Sequence, residues 1–185
     1  MIKKISIFFI TCLCVSACST ALNKNKVDIS PAQVGETTFT DEVRRMISNE
    51  EKRNGIPSGI LDSIAKVESR HNIYAVNTRK KSYNFKTKED AVKFINTSLQ
   101  NGCTNISVGC FQLHYATHKK NFSSLDNMLT AESNVTYAAN LLKGLYNKYG
   151  SWELAIKKYH SSKAKYNNVY YKKVMAAYND LNKVS

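Results

Sequence analysis

Between Ala131 and Tyr149, apolar residues fall at Val135, Ala138, Ala139, Leu142, Leu145, Tyr146 and Tyr149, the i, i+3, i+4, i+7 spacing of one helical face. Gly150 ends the run. Ser151 caps a shorter helix in which Trp152, Ala155, Ile156 and Tyr159 share a face. A chain patterned this way buries helix against helix. Earlier stripes have the same period: Val43, Met46 and Ile47 behind an N-cap at Thr40, then Ile60, Leu61, Ile64 and Val67 between Pro57 and Arg70. A third helix is expected from Thr87 to Gly102, and a last one from Asn168 to Leu181. Residues 71–87 read as irregular, with a small strand at Tyr83–Phe85, and the loop from Cys103 to Cys110 carries no helical signal. With 185 residues, the chain is long enough for one domain and too short for two ordinary ones. The expectation is a single, mainly α (α+β) domain with a small irregular or β segment. An apolar fraction of 43% excludes a wholly disordered chain. No internal repeat is visible, and no run matches a P-loop, a dinucleotide fingerprint or a zinc finger.

The chain begins with Lys3 and Lys4, an apolar run from Ile5 to Val15, and then small residues. That is the pattern of a secretory signal, and the run is shorter than the roughly 20 residues needed to span a bilayer. Val15-Ser16-Ala17-Cys18 resembles a bacterial lipobox. The resemblance implies cleavage before Cys18, lipidation of that cysteine and, because Ser19 rather than Asp follows it, an outer-membrane destination facing the periplasm. An ordinary signal cleaved near Ala17 or Ala21 stays open as the alternative. Residues 1–17 are then a signal peptide, 18–38 a polar, lipid-anchored flexible tether, and 39–185 the domain. Of the 5 cysteines, Cys12 and Cys14 leave with the signal and Cys18 is the anchor. Cys103 and Cys110 are left to pair in an oxidising compartment, a short loop closure worth ~2–3 kcal/mol. Four histidines without ligand spacing and no second cysteine pair argue against a metal, and no cofactor is expected. The net charge of +13 falls to +11 once Lys3 and Lys4 are removed. Charge alone fits nucleic acid, a membrane surface or an acidic polymer. Export and the lack of a binding motif set nucleic acid aside.

One residue breaks the apolar pattern. Glu68 follows Ile64 by four positions and Leu61 by seven, so it lies inside the stripe of its helix. An acid aimed at the core loses hydration, which raises its pKa and keeps it protonated near neutral pH, as a general acid requires. Periodicity alone leaves a second reading open, in which the helix ends early and Glu68 turns outward or meets a nearby base. Asp62 sits about 240° around the same helix from Glu68, on a different face. Asp126, Glu132 and Glu153 stay open as second acids in space.

Glu68-Ser69-Arg70, then Ser107-Val108-Gly109-Cys110-Phe111-Gln112, then Tyr159-His160-Ser161 resemble, in order, the three motifs of the lytic transglycosylase SLT domain. Asn134-Val135 with Tyr137-Ala138-Ala139, and Tyr149-Gly150-Ser151-Trp152, are similar to its intervening helical segment. Lys81 to Asn105 resembles the segment that small secretion- or conjugation-associated members carry. The likeness covers about Asp41 to Tyr178. It implies a lysozyme-like fold with a substrate groove and cleavage of the β-1,4 bond between N-acetylmuramic acid and N-acetylglucosamine in peptidoglycan, leaving a 1,6-anhydro end. By the same resemblance Glu68 is the single catalytic acid/base and Tyr159 hydrogen-bonds it. Ser107, Gly109, Phe111, Gln112 and His160 belong to the substrate-binding set. Ser69 and Asn134 complete that set as hydrogen-bonders around the site. The common Gly-Leu-Met-Gln reads here as Gly109-Cys110-Phe111-Gln112, and the common Ala-Tyr-Asn as Lys158-Tyr159-His160. The expected partners are peptidoglycan glycan strands, the membrane through the anchor, and a secretion or conjugation apparatus; the expected state is a monomer. Two alternatives remain: a hydrolysing muramidase of the same fold, and a non-catalytic peptidoglycan-binding lipoprotein.

Overall fold

The structure, a computed structural model, describes residues 31–79, 81–161 and 163–183. The signal at 1–17, the lipidation at Cys18 and the tether up to residue 30 lie outside the described residues. The first helix, α1 (Pro31–Asn54), starts nine residues before Thr40, so the end of the expected tether is helical. Helix α2 (Ile60–Ser69) follows a short turn. Farther on, α6 (Ala131–Tyr149) and α7 (Trp152–His160) have the bounds that periodicity predicts, capped by Thr130, Ser151 and Gly150. The closing helix, α8 (Ala164–Lys183), extends beyond the expected Asn168–Leu181 at both ends.

Helix α2 packs between α1 and α8, while α6 packs on α1 and α7, and α7 on α8. The stripes meet as expected: Val43 and Ile47, Leu61 and Ile64, Ala138 and Leu142, and Ile156 and Val174 are essentially inaccessible to solvent. Burying one such aliphatic side chain stabilises by about 1.5–3 kcal/mol. Gly59 precedes α2 and has no side chain with which to cap it. The cap comes instead from α1. The buried Glu51 carboxylate accepts hydrogen bonds from the amides of Gly59 (2.9 Å), Leu61 (2.7 Å) and Asp62 (3.3 Å). Three amides that helix geometry leaves without partners are thereby satisfied by a neighbouring element.

The segment between α2 and α6 holds more sheet than the sequence suggests. Strands β1 (Ala75–Thr78), β2 (Ser82–Asn84), β3 (Ile106–Val108) and β4 (Leu113–His114) pair antiparallel in the order β2-β1-β3-β4. Val76 faces Val108 in the register, both buried, while the neighbouring pair Asn77 and Ser107 lies on the more exposed side. Helix α3 (Lys88–Gln100), capped by the Thr87 hydroxyl, covers the sheet through Phe94, which packs on Tyr83 and Phe85. Short helices α4 (Tyr115–His118) and α5 (Leu125–Met128) lead into α6.

The expected Cys103–Cys110 disulfide is not formed: both are free thiols. Strand β3 runs extended between them, so the segment is not the pliable loop that the pairing assumed. Cys103 lies beside Thr78 and Phe94, whereas Cys110 is buried beside the end of α2, where loss of water pushes its thiol up to about 12.

Candidate active site

On α2 the stripe that buries Leu61 and Ile64 continues one turn further, and its next member is Glu68. At that point the helix leaves the core and reaches the floor of a cleft of about 400 Å³. The Glu68 side chain is 14% exposed, so it retains contact with the cleft alone. The chain then turns abruptly. Arg70 (φ 56°) and His71 (φ 65°) both adopt the left-handed conformation. Their amides return to the carbonyls of Lys66 (3.1 Å) and Ala65 (3.3 Å). The buried His71 ring is tied to Asp62 at 2.7 Å, and Arg44 stands 3.7 Å from the same carboxylate oxygen. Asp62 is thus engaged on the far side of the helix, as its angular offset requires.

The wall opposite Glu68 is the turn from β3 to β4. Gly109 (φ 82°) sits against the fully buried Asn134, and a Cβ at this position would lie 2.3 Å from the Asn134 amide nitrogen. Asn134 accepts from the Phe111 amide (3.0 Å) and donates to the Met128 carbonyl (3.1 Å). The Ser69 hydroxyl donates to the Cys110 carbonyl (2.8 Å), joining the turn to α2. Gly109, Phe111 and Asn134 were expected in the substrate-binding set, but all three are buried and shape the wall from behind. The close approach that demands a glycine here is that of Asn134. Gln112 lines the cleft with a left-handed backbone (φ 49°), and its amide nitrogen donates to Gly109 (3.0 Å) and Ala75 (3.3 Å) carbonyls. Ser107 and His160 also line it, joined by Asn77, His114 and His118, which sequence reasoning did not single out.

Tyr159 reaches the cleft, yet its hydroxyl donates to the Phe111 carbonyl (3.0 Å) rather than to Glu68. The hydroxyl beside the acid belongs to Tyr170 on α8. It lowers the pKa of Glu68 from its side, although it is buried and makes no hydrogen bond of full geometry. Burial outweighs that contribution and raises Glu68 from 4.5 to about 7. Both tyrosines are held well above the ordinary phenol range, first by burial and next by the neighbouring Glu68, so they remain donors. Asn167 and Tyr170 are buried polar members of the α8 stripe that also carries Val174. The clue used for Glu68, a polar residue on an apolar face, is present in α8 at Asn167 alone of these two.

Among the described residues lining this cleft, Glu68 is the one carboxyl and none is a lysine or arginine. Glu153 is paired with Lys157 at 2.5 Å, and Glu132 lines a separate pocket. Among the described residues no three His, Cys, Asp or Glu side chains converge as a metal site.

A mainly α domain with a small antiparallel sheet and a single buried acid at the floor of a polar cleft has the architecture of the lysozyme-like glycan-cleaving proteins. Residues 45–179 match the family model of the transglycosylase SLT domain, and the chain belongs to that family. Membership brings, at family level, peptidoglycan as substrate and cleavage of the lytic transglycosylase type. No curated protein and no solved structure matches the chain.

Proposed function

We propose that the protein is a peptidoglycan lytic transglycosylase that cleaves the β-1,4 bond between N-acetylmuramic acid and N-acetylglucosamine, with Glu68 as the single acid/base. The observation that carries this reading is the lone carboxyl of the cleft, titrating near neutrality. Hydrolases that invert or retain use a second carboxylate, to activate a water or to attack the sugar. Here the nucleophile is tethered in the substrate. Glu68 gives its proton to the glycosidic oxygen as the bond to C1 breaks and positive charge develops on the muramic ring. The Glu68 carboxylate then removes the proton of the C6 hydroxyl while O6 bonds to C1. A 1,6-anhydro end results, no water is consumed, and Glu68 is again protonated. Proximity of the internal hydroxyl replaces the second acid. The Tyr170 hydroxyl supports the carboxylate between the two transfers, and Ser107, Asn77 and the amide oxygen of Gln112 offer polar contacts to the sugars.

The test is turnover of purified sacculi by Glu68→Gln, which keeps the shape and loses the proton. Release of soluble muropeptides is expected to fall by at least ~10³-fold with an unchanged far-ultraviolet spectrum. Release at the wild-type rate would remove Glu68 from the mechanism. We further propose export and outer-membrane anchoring through Cys18, supported by the lipobox-like Val15–Cys18. Cys18→Ala is expected to abolish lipid labelling in cells, and labelling that persists would contradict it.

A further inference from the structure

Three imidazoles line the cleft, and two of them are engaged away from the acid. His114 is bonded to the Thr117 hydroxyl (2.8 Å) and His118 to the Tyr137 hydroxyl (2.9 Å). His160, the last residue of α7, is placed differently. Its Nδ1 stands 3.9 Å from Glu68 Oε1. Its ring lies flat on that of Tyr170, with centroids 4.4 Å apart and planes at 8°. One ring therefore covers the face of the tyrosine whose hydroxyl neighbours the acid and also borders the acid itself. The titratable groups facing His160 are Glu68 from α2, Tyr170 and Lys173 from α8, and His114 and His118 across the cleft.

We propose that His160 is a positioning residue for the acid/base: its neutral ring holds Tyr170 against Glu68, and its protonation closes the reaction at the acid end of the pH range. The inference rests on the acid/base reading of Glu68. Burial and the Lys173 cation hold His160 below the ordinary imidazole range, whereas Glu68 is held near 7. As the pH falls, the first proton goes to Glu68, which is the order a general acid needs. The second goes to His160 and sets a cation beside the carboxyl. That cation stabilises the carboxylate, so it becomes a weaker base for the C6 hydroxyl. The same cation repels the positive charge developing on the sugar. Activity then declines above about 7, where Glu68 ionises, and again where His160 becomes charged.

The test is the pH profile of kcat/KM for muropeptide release from sacculi by the full chain and by His160→Asn, His160→Phe and His160→Ala. A melting temperature is taken for each, and product masses are read in the same assay. The wild type is expected to give a bell. Asn and Phe should lose the acid limb and keep the basic one. Ala should lose the acid limb and turn over about tenfold more slowly than Phe, which restores a flat ring on Tyr170. An acid limb unmoved in Asn and Phe, or Ala as fast as Phe, overturns the proposal. Anhydro ends with an unmoved limb reject this role alone. Reducing ends with a lost limb reject the transglycosylase reading and leave the role of His160 standing. No release by any form at any pH rejects both.

Discussion

Glu68 stands one turn beyond Ile64 on a stripe that is otherwise apolar, and the water it has lost there accounts for its titration near pH 7. The fold bears a cost for this. The folded-state pKa is raised above 4.5, so the folded protein holds the proton more tightly than the unfolded chain does. Stability is full below the unfolded value and declines as the pH rises through the folded one, by on the order of 3 kcal/mol. Glu68→Gln is therefore expected to melt higher than the wild type at about pH 8 and level with it at about pH 4. Thermal melts at the two pH values check this, and a difference independent of pH would contradict it. Glu68 is legible in the sequence because a charge on an apolar stripe is anomalous. Tyr170 is not, because a tyrosine on a helix stripe looks like any core residue. Tyr159 shows the limit of motif reasoning: it lies at the site, but its hydroxyl goes to the Phe111 carbonyl. Phe111 and Asn134 belong to the right motifs and serve the wall, since both are fully buried.

The precision of Glu68 depends on both ends of α2. At its start, the Glu51 carboxylate replaces the cap that Gly59 lacks, and at its end two left-handed residues and the His71–Asp62 contact stop the chain. Glu51→Ala leaves the amides of Gly59, Leu61 and Asp62 without that acceptor, and a loss of about 2–4 kcal/mol is expected, seen as a lower denaturant midpoint. A change below 0.5 kcal/mol, the size of an ordinary surface substitution, would show that α2 needs no cap from α1. Long helices are legible because their stripes repeat over several turns and their caps are explicit, as at Thr87, Thr130 and Ser151. Strands β1, β3 and β4 are not, because two to four residues cannot display an alternation. The error over Cys103 and Cys110 has the same origin. Eight residues read as a loop would let the thiols meet, whereas three of the eight form a strand and both thiols are free.

Across the whole molecule, the chain carries 27 lysines and arginines, and among the described residues none lines the cleft. The charge that dominates the composition therefore lies outside the described lining, and acts on anionic groups at longer range. What the fold concentrates in the cleft is one acid, its tyrosines and a polar lining, an arrangement suited to a substrate that carries its own nucleophile. The nature of the product tests that most directly. Sacculi digested in oxygen-labelled water and analysed by mass spectrometry are expected to yield muropeptides with 1,6-anhydro ends and no label. Reducing ends carrying the labelled oxygen would mean that water attacks C1, and would contradict Glu68 acting alone with an internal nucleophile.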